Sequence, residues 1–183
     1  MTAEQSVETW LEELFNQHVN AVFRYCRVQL DEALAEDVTS EVFLVAWQKP
    51  GSVPPGSAKP WLLGVARRLI ANQMRSERRR RALARKASQD AYVTSNEPDL
   101  ADAVAAADLA RRALDGLARR DREVLWLAAT EDLSQAELGQ ALGVSGKAAG
   151  VRLSRARARL AKAAKTPEQD GKEYIKTRKG VES

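Results

Sequence analysis

Residues 133–160, LSQAELGQALGVSGKAAGVRLSRARARL, leave this chain few choices of local structure. Ser134, followed three residues later by Glu137, forms the pair in which each side chain caps the other's backbone at a helix start. Gly139 is small where two helices would cross closely. Gly143 supplies the positive φ that a tight interhelical turn needs, and Ser145 can cap the helix that follows. Leu138, Leu142, Val144, Ala149, Leu153, Ala156 and Leu160 fall on one apolar face at helical spacing. The other face of the second helix carries Lys147, Arg152, Arg155, Arg157 and Arg159, with no acid between Ser145 and Lys165. A basic helix behind a tight turn fits a major groove and pairs with phosphates. The plain alternative is a solvated basic helix in an ordinary bundle. The capping pair, the turn glycine and the unbroken positive face together favour a helix-turn-helix.

The rest of the chain must be helical too, and its charge is sorted. At 183 residues it can hold one or two small cores. The formal charge is only +4, yet acids crowd residues 31–41 while basic residues crowd 67–86 and 147–165. Segregation of this kind predicts two different partner surfaces. No apolar run is long enough to span a bilayer, and the start of the chain lacks a basic-then-apolar signal pattern, so no stable membrane insertion is expected. The single cysteine, Cys26, cannot form an internal disulfide, which fits a reducing cytoplasm.

Periodicity divides the chain into two small helical domains, an all-α architecture joined by a flexible linker. Residues 6–86 form the first. Trp10, Leu11, Leu14, Phe15, Val19, Val22, Phe23, Cys26 and Leu30 define a long amphipathic helix. A second helix over residues 34–48 carries two apolar strips, one of Leu34, Val38, Val42 and Val45 and one of Phe43 and Trp47, and so is expected to pack on both sides. Its remaining surface shows Glu36, Asp37 and Glu41. Residues 49–59, KPGSVPPGSAK, read as a loop. Pro60 suits the first turn of a third helix, which runs through Trp61, Leu62, Val65, Leu69 and Met74 into Arg75 and the arginines at 78–81. Residues 87–98 are polar and poorly periodic, a linker. Residues 99–165 form the second domain: an alanine-rich helix with Leu100, Val104, Leu109 and Leu114, a turn at 117–121, a short helix at 122–129, and the helix-turn-helix. Residues 166–183 have no burial pattern and read as a disordered tail.

Catalytic and metal chemistry find little support. The only histidine, His18, lies on the first helix near Cys26, and two residues do not make a structural zinc site. The glycines at 51 and 56 lack the Lys-Ser/Thr pair of a phosphate loop, and the acids at 31–41 match no calcium loop. No metal, no cofactor and no enzymatic activity are expected.

Four stretches in order resemble one family. AEDVTSEVFLVAWQK (35–49) and WLLGVARRLIANQMRSERRR (61–80) are similar to region 2 of bacterial sigma factors of the extracytoplasmic-function (ECF) type. ALDGLARRDREVLWLAATEDLSQAELGQALGVS and VRLSRARARL are similar to region 4, the second being its recognition helix. The resemblance implies a subunit that binds core RNA polymerase and promoter DNA and is often held by an anti-sigma protein. It assigns Glu36, Asp37, Glu41 and Gln48 to a basic clamp on the polymerase. It assigns the loop at 49–59, Trp61, Arg67, Arg68, Asn72 and Arg75 to the unstacked −10 strand, although Trp61 suits a core anchor better than a stacking platform. Arg68 stands where many members have Asn. In the recognition helix, Ser154 and Arg155 match base-reading positions, Lys147, Arg152 and Arg157 match phosphate contacts, and Val151 and Gly150 are assigned to the same −35 surface. Gly150 sits where the family usually has a long basic or polar residue. A different class, a stand-alone helix-turn-helix repressor or activator with a helical sensor domain, would need a dimerisation surface that the sequence does not announce. A nucleic-acid-modifying enzyme would need a catalytic constellation, and none is present.

Overall fold

The computed structural model describes residues 3–87, 114 and 116–165, with side chains placed from 7 to 83, at 114 and from 116 to 164. Most of the expected linker, most of the alanine-rich helix at 99–114 and the tail at 166–183 lie outside the described residues. All the regular structure described is helical: α1 (Ala3–Arg27), α2 (Glu32–Gln48), a single 3₁₀ turn (Pro50–Ser52), α3 (Ala58–Ala87), α4 (Arg119–Thr130), α5 (Gln135–Leu142) and α6 (Gly146–Lys165).

Local chemistry sets the ends. Gln29 and Leu30 both donate back to the carbonyl of Cys26, closing α1. Asp31 then caps α2 by accepting the backbone N–H of Leu34 at 3.0 Å, satisfying one of the donors a helix start leaves open. The prolines and glycines of the following loop form two turns, the 3₁₀ turn and one closed by Ser57 donating to the carbonyl of Pro54, before α3 begins at Ala58 with Pro60 in its first turn.

Helices α1, α2 and α3 pack as a three-helix unit around Val22, Cys26, Ala35, Val42, Leu62, Leu63 and Ile70, all buried. Each large aliphatic side chain buried there stabilises the fold by about 1.5–3 kcal/mol. The second strip expected on α2 does not pack as a whole. Phe43 is buried, but Trp47 is 51% exposed and Leu44 47%. The spacing that places 43 and 47 on one strip says nothing about how tightly it is covered, and Trp47 opens into a groove that it shares with Leu11 and Phe15 of α1.

Helices α4, α5 and α6 form the second unit, centred on Val124, Leu127, Leu138, Leu142, Ala149 and Ala156. The two units meet. α3 packs against α5, and Gly64 lies at the crossing: a Cβ there would stand in contact, 3.4 Å from the carbonyl oxygen of Gln140. Buried apolar residues of both units thereby join one continuous cluster.

Candidate nucleic-acid interface

The helix-turn-helix is built as its sequence predicts. The hydroxyl of Ser134 accepts the N–H of Glu137 at 3.3 Å, and the Glu137 carboxylate accepts the N–H of Ser134 at 2.9 Å. These bonds hold the Glu137 carboxyl below the usual carboxylate range. Gly143 sits in the left-handed region with φ 65° and ψ 38°, and Val144 donates to the carbonyl of Gly139 at 2.9 Å. This is a helix-ending motif in which a residue without a side chain is strongly preferred. Gly139 has no room for a Cβ, which would lie 2.7 Å from the backbone nitrogen of Gly146. Ser145 caps α6 by accepting the N–H of Ala148 at 3.2 Å.

That construction fixes how α6 is presented. Ala149 and Ala156 face inward, fully buried. Lys147, Val151, Arg152, Ser154, Arg155 and Arg157 are exposed, and Gly150 is half-buried. None of the four cations in that group is held in an ion pair among the described residues. Arg159 is different: its Nη1 reaches both carboxylate oxygens of Asp121, at 2.9 and 2.8 Å. It clamps α6 to the first turn of α4 and is set apart from the exposed, unpaired cations.

The basic face of α3 is less uniform than its sequence. Trp61 packs against the core cluster, as a core anchor would. Arg68 points outward, and Arg75 donates to the side-chain carbonyl of exposed Asn72. Arg80 and Arg81 both pair with Glu77. Arg67 is turned away from this row, and its Nε donates to Glu123 Oε1 at 3.1 Å.

Glu123 is one of two buried carboxylates that tie the units together. Its Oε1 also accepts the phenol of Tyr25 at 2.6 Å. Burial, and then the Glu123 charge, push the Tyr25 phenol far above its ordinary range, so it keeps its proton and donates. The second carboxylate is Glu131, 2% exposed. Arg24 reaches its Oε1 at 3.1 Å, and Lys59 donates to its backbone carbonyl at 2.9 Å. Arg119 adds a third bridge, donating from Nε and Nη2 to the side-chain carbonyl of Gln29 at 2.9 and 2.6 Å. Nothing in the sequence flagged Glu123, Glu131 or Tyr25, because their partners lie far along the chain.

On the far side of the first unit, Glu36, Asp37, Glu41 and Gln48 are all exposed on α2. Beside them runs an open groove of about 460 Å³ between α1 and α2. Leu11, Phe15, Phe43, Leu44 and Trp47 form its floor and walls, and Glu8 and Glu12 stand along it. Phe15 and Phe43 meet edge to face, with ring centroids 4.9 Å apart. An apolar trough flanked by carboxylates suits an amphipathic partner with basic residues. Among the described residues no helix is long and apolar enough to cross a membrane.

The fold and these surfaces define a two-domain helical DNA-binding protein in which an acidic face with an apolar groove accompanies a basic helix-turn-helix. Family comparison agrees with both halves: residues 14–80 match the model "Sigma-70 region 2", and residues 107–160 match "Sigma-70, region 4". The chain belongs to the ECF RNA polymerase sigma factors, non-catalytic proteins that direct transcription initiation. It is 31% identical over 135 residues to the ECF RNA polymerase sigma factor SigL of Mycobacterium tuberculosis, covering 72% of this chain and 76% of that protein. It is 34% identical over 134 residues to the probable RNA polymerase sigma factor RfaY of Xanthomonas campestris, covering 70% of this chain but only 33% of that longer protein. Among solved structures, the sigma factor RpoE in complex with the anti-sigma factor NepR from Bartonella quintana shares the fold, with a TM-score of 0.63 and 24% identity over 86% of this chain and 98% of that one.

Proposed function

We propose that the chain docks on core RNA polymerase through the acidic α2 face and its adjoining groove, captures the unstacked −10 strand along α3, and reads the −35 duplex with α6. The observation that carries this reading is the separation of surfaces. The carboxylates at 36, 37 and 41 and the exposed Trp47 lie on one helix, and the exposed cations at 147, 152, 155 and 157, unpaired among the described residues, lie on another. A basic clamp recognises the first, and phosphates and base edges the second. The polymerase supplies the chemistry, and the chain works in the cytoplasm without a cofactor. An anti-sigma protein belongs to the same reading as a partner, and the fold relative from Bartonella was solved with one. A stand-alone repressor has no use for an acidic docking groove.

The test is run-off transcription with core polymerase and the full chain carrying Asp37→Lys and Glu41→Lys together. Both positions are exposed, so circular dichroism should stay that of the wild type. Like charges set against a basic clamp cost several kcal/mol, so polymerase binding and promoter-specific transcript should disappear together. A folded double variant that programs the polymerase at the wild-type level removes α2 as the docking face.

A further inference from the structure

The DNA-facing side of α6 has a gap in its own sequence. Gly150 follows Lys147 by one turn and precedes Ser154 and Arg157 by one and two turns, so its side chain would stand in the middle of that row. The gap is filled from another helix. A Cβ on Gly150 would lie 2.0 Å from Nε2 of Gln135, 3.1 Å from its Cδ and 3.7 Å from its Cγ. Gln135 is the first residue of α5, and its side chain lies directly across the α-carbon of Gly150. There it helps line an open groove of about 410 Å³ with Gly150, Ser154 and Arg157. The residue is exposed, and its amide makes no hydrogen bond among the described residues.

We propose that Gln135 reads a base edge of the −35 duplex, standing in for the side chain that position 150 lacks. The inference rests on α6 being the −35 reader, and it adds a specificity residue from outside that helix. A primary amide presents a donor and an acceptor in one plane, the pair that matches N7 and N6 of adenine in the major groove. An amide can also bond a phosphate, but the neighbouring cations already serve that purpose, and among these side chains the amide alone carries the donor–acceptor pair that adenine matches. Gly150 is then the space that lets the amide reach the groove floor. This accounts for a glycine in mid-helix, where it costs about 1 kcal/mol relative to alanine.

The proposal is tested with holoenzyme assembled from core polymerase and the full chain. A promoter whose −35 segment is selected from a randomised pool by the wild-type holoenzyme serves as reference, and each base pair of that segment is then varied singly. Gln135→Ala should lose roughly tenfold discrimination at one A·T pair and leave the other positions unchanged. Gly150→Ala should give the same profile, since its methyl group displaces the amide. The atom it meets is the end of a flexible side chain and alanine favours the helix, so the melting transition should not fall. The double variant should be no worse than either single one. Arg155→Ala serves as the control for the helix itself. If Gln135→Ala keeps the full profile, or weakens all sequences equally, while Arg155→Ala changes discrimination, Gln135 is not a base reader and the reading of α6 stands. If neither variant alters discrimination, the reading of α6 falls as well.

Discussion

The phenol of Tyr25 donates a 2.6 Å hydrogen bond to Oε1 of Glu123, joining the first helix to the fourth across 98 positions of sequence. The acceptor is buried, and among the described residues Arg67 is its only counter-charge within ion-pair distance. Tyr25→Phe removes a hydrogen bond to a charged acceptor and should lower stability by about 2 kcal/mol, read as a shift in the urea midpoint. Glu123→Gln keeps an acceptor oxygen for both donors and should cost less than Tyr25→Phe. The reverse order would mean that the charge of Glu123, rather than its hydrogen bonds, holds the two units together.

At Glu131 the arrangement is unequal, and the inequality can be measured. The carboxylate side chain is 1% exposed, whereas Arg24 is 56% exposed and Lys59 34%. Removing the carboxylate leaves two cations that water can reach, but removing both cations strands a buried charge. Arg24→Ala combined with Lys59→Ala should therefore destabilise the chain more than Glu131→Gln does, with a difference of about 1–3 kcal/mol. Thermal or urea unfolding of the two variants beside the wild type checks the order. Equal losses would mean that Glu131 is hydrated in solution.

Arg155 and Arg152 are both exposed on α6 but should behave differently on DNA. Arg155→Ala should lose about 1–3 kcal/mol of discrimination among −35 sequences if it reaches a base edge. Arg152→Ala should weaken every sequence alike and make binding less dependent on salt, as loss of a phosphate contact does. Holoenzyme titrations on matched and mismatched promoters at several salt concentrations separate the two.

The pKa of His18 is held below its ordinary 6.5, first by burial and second by the nearby charge of Lys59. The unfolded chain thus binds more protons in the window below 6.5, and stability should fall as pH drops through that window. His18→Gln should flatten this segment of the stability profile while leaving neutral pH little changed. The low pKa of Glu137 acts separately, its contribution fading only below the carboxylate's ordinary 4.5. A wild-type urea midpoint that stays level from neutral pH down to about pH 5 would contradict the His18 assignment.

Legibility in the sequence followed the range of the interaction. The turn between α5 and α6 could be read residue by residue because Ser134, Glu137, Gly143 and Ser145 act on backbone within a few positions. Helix faces were legible where neighbours close over the stripe, as at Leu14, Val22 and Cys26 of α1, whereas Phe15 on the same stripe is 43% exposed. Trp47 misled because periodicity gives a face and not its cover, and the groove beside it emerges only when α1 is set in place. Arg67 looked like one more cation in a basic run. Its partner is 56 residues away, and no spacing rule reaches that far. Gln135 was invisible for the same reason: its position over Gly150 is a property of two helices crossing.

The contact of α3 with α5 also sets a limit on what this arrangement can hold at once. The −10 and −35 elements are, by their names, about 25 base pairs apart, roughly 85 Å along a duplex rising about 3.4 Å per pair. With Gly64 this close to the backbone of Gln140, the strand along α3 and the duplex under α6 cannot both be engaged if those helices hold the elements proposed for them. On those assignments the chain parts at Glu123 and Glu131 before it spans a promoter. The free energy of that parting is subtracted from promoter affinity, tenfold for each 1.4 kcal/mol. Any partner that stabilises the open form, the polymerase above all, would return that affinity without touching DNA. Any partner that favours the joined form would silence the protein without covering a single DNA-binding side chain.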